Sequence, residues 1–363
     1  MHTADVLIIG GGPSGTTCAT LCAEAGLRVL LLERSLFPRE KVCGDCLNPG
    51  CWEVFARLKV ASRIRKLPHA RIERLHFIDL HNKAISFRLG STKKGKIAVK
   101  RSSLDNLLLE RTREARVIAQ EGTTVESIES TSEGWVVHTN RGEFSGKILV
   151  GADGRNSLVA KALGHTPRML NDRIGLQTHF DGPLSLQQQI TIRLMPQGYC
   201  GLAGVGGRTI NLCLAGPAKS TKALKDWAIS EYRLPANLIW RTITPLSRTP
   251  VPPVGHHALL TGDAARVTEP FTGEGIFYAL QSGQLAADAI IYGFQARNFP
   301  AAWQQYQLAH RKMYRGRIWI NQLAKLAATH PVVTSQIFQI IRPYPQILGL
   351  LSSRVIGHKL EGV

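Results

Sequence analysis

The run Val-Leu-Ile-Ile within Asp5 to Gly10 has no polar interruption, which predicts a strand buried on both faces. A glycine turn comes next. Ser14 to Ala25 then carries small residues in the pattern of a closely packed helix, which Gly26 ends. Arg28 to Glu33 repeats the apolar run as Val-Leu-Leu-Leu, so the first 33 residues predict one βαβ unit with a right-handed crossover. Residues 35 to 60, with Pro, Gly and three cysteines, read as an insertion rather than a further helix-strand repeat, ahead of a strand-like stretch near Leu75 to Phe87.

Further on, Leu104, Leu107 and Leu108 give Ser102 to Glu114 helical spacing, with Ser102 or Ser103 as its cap. Strands are expected at Thr124 to Ile128, Trp135 to Thr139 and Lys147 to Ala152. From about Ile174 to Thr244 the pattern changes to alternation and β-branched residues, with one helix near Leu224 to Tyr232, which predicts a mostly β second domain forming a substrate wall. Ala258 to Thr261 returns to strand, and Gly275 to Tyr292 is a helix. The fold class expected is therefore α/β, with a Rossmann-like, doubly wound first domain that is discontinuous (1–75, 98–173 and 250–295), a second domain (76–97 and 174–249) and a helical C-terminal region (296–363).

Gly10-Gly11-Gly12-Pro13-Ser14-Gly15 fits G-x-G-x-x-G, and it lies between a strand and a helix, the context that gives the motif meaning. Gly10 permits the tight turn, Gly12 admits a pyrophosphate to the backbone, and Gly15 lets helix and strand pack closely, while Pro13 and Ser14 open the helix whose amides face the anion. Glu33, at the end of the second strand, is placed to take ribose hydroxyls. Its charge would repel a 2′-phosphate, so the unit suits FAD or NAD and not NADP.

Three separated segments resemble the flavoproteins of the para-hydroxybenzoate hydroxylase fold and, within them, the geranylgeranyl reductase-like branch. The first is the glycine unit through Glu33-Arg34, continuing as Phe37-Pro38-Arg39-Glu40-Lys41-Val42-Cys43-Gly44, similar to the branch's P-x-x-K-x-C-G. The second, Gly151-Ala152-Asp153-Gly154-Arg155-Asn156-Ser157, is similar to the family's DG motif. The third, Thr261-Gly262-Asp263-Ala264-Ala265 with Pro270-Phe271-Thr272-Gly273-Glu274-Gly275, is similar to its GD motif and the loop after it. Together they span residues 1 to about 295.

The resemblance implies FAD, with Asp153 and Gly154 at the pyrophosphate, and Gly262 and Asp263 at the ribityl chain; helix capping is the alternative for Asp263. Gly273, Gly275 and Ile276 lie where a helix begins, and amides there are placed to stabilise negative charge on reduced flavin. Pro270 and Phe271 would border the flavin, a core aromatic being the other reading of Phe271. Arg101, in an R-x-x-L-D arrangement supported by Asp105, resembles an arginine that approaches the cofactor, though a cap or ion pair is equally simple. For Asp153-Gly154 the plain alternative is a turn. Cys43-Gly44-Asp45-Cys46 also matches C-x-x-C, which elsewhere means a redox disulfide or half a zinc site. No second ligand pair of suitable spacing accompanies it, and the resemblance places Cys43 and Gly44 beside the flavin, in a structural or substrate-contact role.

A flavin fixes the electron carrier and leaves the substrate open. The branch implies that reduced flavin saturates a carbon–carbon double bond of a hydrophobic prenyl or polyketide-like substrate, with NADH or NADPH as donor. The branch's aromatic Y-x-W-x-F-P is replaced here by Gly198-Tyr199-Cys200-Gly201-Leu202-Ala203. Alternatives are a class A monooxygenase acting on an aromatic or polyketide-like ring, and a catalytically idle flavin-binding protein that docks through its surface. The halogenases' W-x-W-x-I-P is absent.

Charge adds one more constraint, since 45 Lys and Arg against 26 Asp and Glu leave a formal +19 over 363 residues. An anionic partner is favoured. The basic residues are scattered, Lys93, Lys94 and Lys96 being the densest cluster, and no nucleic-acid motif accompanies them. Seven cysteines, an odd number, with no charged-then-apolar leader, fit a reducing cytoplasm. His256-His257 is expected on a loop, and the histidines show no metal-binding pattern. No apolar run reaches a membrane span, yet the apolar stretch Pro331 to Ile356, interspersed with Arg342 and Arg354 and broken by Pro343 and Pro345, leaves peripheral membrane association open.

Overall fold

Both N-terminal apolar runs become strands with neighbours on each side. In His2–Ile9, Val6 and Ile8 enter one core while Leu7 and Ile9 enter another; in Val29–Leu32, Val29 and Leu31 join the first core and Leu30 and Leu32 the second. Burial on both faces is why neither strand alternates apolar with polar. The structure is a computed structural model that describes residues 2–89, 96–170, 172–315 and 317–343.

The parallel part of the first sheet runs Ala258–Leu260, Gly142–Gly151, His2–Ile9, Val29–Leu32 and Ile118–Gln120. Val254–Gly255 pairs antiparallel at one edge, and Gly134–Thr139 bridges Gly142–Gly151 to Val125–Thr131. Helices Pro13–Glu24, Arg101–Glu114 and Gly275–Ala296 cover the first core. A Cβ at Gly283 would lie 2.3 Å from the Ser14 carbonyl oxygen, so the first and last of these helices meet backbone to backbone.

The second sheet is ordered Arg241–Ile243, Arg173–Asp181, Thr209–Pro217, Gly198–Gly204, Gln189–Met195, Arg74–Ile78 and Ala84–Arg88. One face, with Leu176, Phe180, Leu212 and Leu214, packs on Leu224 and Ala228 of the helix Thr221–Glu231. The opposite face carries Arg173, Gln177, His179, Asn211, Cys213 and Tyr199, a polar set for a sheet interior.

Two expectations need correction. The stretch from 35 to 60, read as an insertion without a helix-strand repeat, holds the strand Cys46–Leu47 and the helix Cys51–Arg57, with Ala61–Lys66 following, and Cys46–Leu47 forms a three-stranded sheet with Lys96–Val99 and His69–Ile72. The helix expected from Ser102 starts at Arg101, and neither Ser102 nor Ser103 caps it. Instead Asp45 Oδ1 accepts from the Arg101 backbone N at 3.2 Å, a cap supplied from 56 residues away.

The C-terminal region is helical over Phe299–Tyr314, Ile318–Thr329 and Pro331–Ile341. Tyr306 Oη donates to the Leu260 carbonyl at 2.7 Å, tying the first of these helices to the parallel sheet. The other two lie against the second sheet, where Phe338 stacks on Phe77 with ring centroids 3.8 Å apart and Ala328 is buried beside Leu194 and Tyr199. Lys93, Lys94, Pro345 and Arg354 lie outside the described residues. Among the described residues no helix is long and apolar enough to cross a membrane.

Candidate active site

Gly10 sits at φ +108°, and a Cβ there would come within 2.4 Å of the Ala152 carbonyl oxygen; at Gly15 it would lie 1.9 Å from the Gly10 carbonyl oxygen. The strand, turn and helix therefore pack more tightly than any side chain allows. At Gly12 the same test meets only Arg39 Nη2 at 3.8 Å, so the turn opens on free space there. Glu33 is buried, accepting from Gly11 N at 2.7 Å through Oε2 and from Ser35 N at 2.8 Å through Oε1.

That free space is a cleft of about 780 Å³. Gly10, Gly12, Glu33, Arg34, Asp153 and Gly154 line it, so the glycine unit and the DG motif share one wall. Its cations are Arg34, Arg39, Lys41, Arg155 and Arg241 against Glu33, Glu40 and Asp153, a balance that suits a diphosphate. The N-terminus of Pro13–Glu24 opens beside it, adding the helix dipole. Asp153 Oδ2 accepts from Leu158 N at 2.6 Å and Val159 N at 3.3 Å, while Oδ1 is buried with no protein partner. Burial raises the Asp153 carboxyl above the usual range. A side-chain-free approach at Gly12, a carboxylate at the strand end and an unengaged buried oxygen fit a dinucleotide.

The GD motif joins this wall through Arg155, whose Nη2 donates to Asp263 Oδ2 at 2.9 Å and whose Nη1 donates to the Pro245 carbonyl at 2.8 Å. Arg248 Nη2 donates to the carbonyls of Asp263 and Ala264. Gly262, at φ +55°, donates its N–H to Ser282 Oγ at 2.8 Å, and a Cβ there would stand 3.1 Å from Ser14 Oγ. Lys41 is the residue in which all three segments meet. Its Nζ is 3.7 Å from where a Gly154 Cβ would be, and burial first, then the charge of Arg101, brings it down to about 8 against a partial counter-pull from Asp263.

Cys43 to Cys46 leads from the cleft to the second sheet. The Cys43 carbonyl accepts from Asn211 Nδ2 at 2.7 Å, Gln177 Nε2 at 2.8 Å and Cys213 Sγ at 3.2 Å. Asp45, fully buried at φ +56°, has Oδ2 2.7 Å from His179 Nε2 and 2.8 Å from Asn211 Nδ2. Burial raises the Asp45 carboxyl, and also the thiols of Cys43 and Cys46, the latter to about 12. Both cysteines are free and hold their protons at neutral pH. Gly44 is exposed, with nothing near its missing side chain.

Arg101 is turned inward as a bidentate pair on Asp105, at 2.9 and 2.7 Å, with Arg39 Nη1 on the same carboxylate at 3.1 Å. Pro270, Phe271 and Thr272 form a single 3₁₀ turn closed by Gly273 at φ +65°, whose Cα borders open space. Phe271 meets Tyr199 edge to face at 5.1 Å, and the buried pair Arg173–Glu269, 3.1 Å apart, lies next to it. Gly275 and Ile276 begin the long helix, the Ile276 side chain entering the core.

The glycine unit, DG motif and GD motif thus converge. Pro13, Ser14 and Gly15 lie behind the cleft, and Arg101 is spent on Asp105. Sequence reasoning missed Lys41 as a site residue, although it lies within the P-x-x-K-x-C-G segment that would have signalled it. His179, Gln177, Asn211 and Arg173 leave no local sign, being single polar residues in alternating strands.

Comparison with known proteins agrees with this geometry. A family model described as FAD binding domain matches residues 3–195. A menaquinone reductase of Mycolicibacterium smegmatis is 27% identical over 329 residues, covering 83% of this chain and 79% of the relative. A geranylgeranyl diphosphate reductase of Rhodobacter capsulatus is 28% identical over 319 residues, covering 78% and 74%. Among solved structures, a p-nitrophenol 4-monooxygenase from Pseudomonas putida superposes with a TM-score of 0.81 at 16% identity, covering 99% of this chain and all of that one.

Proposed function

Since the chain belongs to the FAD binding domain family and is a flavin-dependent oxidoreductase, we propose that it reduces a carbon–carbon double bond of a hydrophobic, prenyl or polyketide-like substrate. Bound FAD supplies the two-electron hydride chemistry, and NADH or NADPH recharges it. Residues 1–75, 98–173 and 250–295 form the FAD unit in this reading, 76–97 and 174–249 the substrate unit, and 296–363 the helical tail.

Gly10 and Gly12 shape the turn that the pyrophosphate approaches, with Pro13, Ser14 and Gly15 behind it opening the helix whose dipole faces the anion, Glu33 and Arg34 hold the adenosine end, and Asp153, Gly154 and Lys41 close over the diphosphate. Gly262 and Asp263 hold the ribityl chain. Gly273 borders the ring without a side chain, and Gly275 and Ile276 contribute amides at a helix start, where negative charge on the reduced ring is stabilised. Arg101 acts through Asp105 and Cys43 on the loop that faces the ring. Cys43, Gly44, Pro270 and Phe271 border the space in which the substrate double bond lies, with Tyr199 packed on Phe271 to exclude water.

The observation that carries the reading is the Cys43–Cys46 loop: it continues the cofactor cleft and is fastened to the inner face of the second sheet by Gln177, His179, Asn211 and Cys213. Cofactor and substrate wall are thereby held in one register. Reduction is preferred to hydroxylation because relatives aligned along most of this chain are named menaquinone reductase and geranylgeranyl diphosphate reductase. The test is anaerobic. Protein reduced with dithionite and freed of excess reductant is mixed with a geranylgeranyl acceptor that carries no quinone ring, and the flavin absorbance should return as one double bond gains two hydrogens; return only on admitting oxygen contradicts the proposal.

A further inference from the structure

The helices Ile318–Thr329 and Pro331–Ile341 carry large apolar side chains on their outward sides. In Pro331–Ile341, Thr334 and Ser335 turn to the body beside Phe338, with Ser335 Oγ accepting from Leu80 N at 3.0 Å and Thr334 Oγ1 donating to the Ala327 carbonyl at 3.1 Å. The outward stripe is Val333, Ile337 and Ile340, spaced three to four residues apart and 51, 47 and 73% exposed. Ile318–Thr329 adds a second outward stripe: Trp319, Leu323 and Leu326 stand 41, 54 and 53% exposed, while Ala328 is buried. A helix lying on a protein in water keeps its large apolar side chains to the packed face. Large apolar side chains gathered outward on consecutive helices mark a surface meant for an apolar neighbour.

Charge identifies that neighbour. Between Asp288 and Glu361 the sequence contains no Asp or Glu, but nine Lys and Arg. Arg311, Lys312, Arg315 and Arg342 are exposed along the tail helices. We propose that this face docks onto a membrane surface rich in anionic phospholipid, the apolar stripes entering the interface and the cations meeting the headgroups. A second copy of the chain would set one acid-free basic region against another, with nothing to pair the charges.

The other side of the same helices explains why docking serves the site. Ala328 and Phe338 belong to the apolar cluster that includes Phe77, Leu194, Tyr199 and Phe271, so the docking element is also the roof of the substrate wall. A lipophilic substrate dissolved in the bilayer then enters beneath these helices. This last step rests on the reading of the substrate given above; the docking itself does not.

Vesicle sedimentation of the full chain with FAD bound tests the proposal without turnover. Binding to vesicles of phosphatidylcholine with phosphatidylglycerol should exceed binding to phosphatidylcholine alone by about tenfold or more and weaken with added salt. The double variant Leu323→Gln, Ile337→Gln should keep its flavin absorbance and lose about tenfold in binding. Hydrogen exchange on the unaltered protein should slow across 318–341 when anionic vesicles are present. Protein that stays in the supernatant, a double variant that binds as the parent does, or a dimer that the double variant dissociates in place of vesicle binding would each overturn it. Vesicle binding without reduction of any acceptor would count against the proposed reaction and leave the docking intact.

Discussion

Lys41 has an ammonium in a partly closed cleft among Arg39, Arg101 and Arg155, an excess of positive charge that Asp263 and Asp105 offset only in part. At about 8 it is mostly protonated at neutral pH and loses its charge as the pH rises through that value, far below its ordinary 10.5. A bound diphosphate favours the charged form, so FAD affinity should fall as pH rises above about 8. Lys41→Met should bind FAD about tenfold more weakly at neutral pH, as expected for one charge-assisted contact, and show a flatter profile. Titration of flavin fluorescence across pH measures both; an unchanged profile in the variant would remove Lys41 from the cofactor. At this scale the sequence was legible where chemistry demands a particular residue at a particular place. Gly10, Gly12, Gly15 and Glu33 all stand as the motif requires. Asn211 and His179 were not legible, because their partners Cys43 and Asp45 lie 168 and 134 residues away, and nothing local distinguishes them from other polar strand residues.

The elements most readily foreseen were those whose burial is uniform. His2–Ile9, Val29–Leu32 and Gly275–Ala296 are set by long apolar or small-residue runs that only a two-sided core satisfies. Cys46–Leu47 and His69–Ile72 escaped, since strands of two and four residues have too few positions to show a period. The start of Arg101–Glu114 was misplaced by a residue because its cap comes from Asp45, which also holds His179. The helix Phe299–Tyr314 docks through Tyr306, His310 and Tyr314, and burial lowers His310 from 6.5 to about 4. The native ring thus stays neutral where an unfolded chain takes up a proton. Its contribution is complete above pH 6.5 and is lost as the pH falls toward 4, by about 3 kcal/mol at most. Thermal melting between pH 7 and 4 should show this loss in the parent and a shallower one in His310→Gln; parallel curves would place the acid sensitivity elsewhere.

For the molecule as a whole, the loop Cys43 to Cys46 links the cleft of the parallel sheet to one face of the second sheet. The parallel sheet offers the cleft at its strand ends, as open α/β sheets do, and the second sheet offers a face whose polar residues, Gln177, Asn211 and His179, are consumed in gripping Cys43 to Cys46. Toward the tail that face is closed by the buried pair Arg173–Glu269 and by an apolar cluster of Tyr199 and Phe271 with Ala328 and Phe338. The general +19 charge suggested an anionic partner in the sequence, but only the fold separates a cleft suited to diphosphate from an outward face suited to lipid. The substrate itself was least legible, because any hydrophobic acceptor would ask for the same kinds of residue. The central claim, reduction of a double bond by flavin held between these two walls, is tested most directly by the mass of the product released from NAD(P)H-reduced protein and a prenylated acceptor under labelled oxygen. A product that gains two hydrogens and no label is the predicted result; one that carries an atom of labelled oxygen would contradict it.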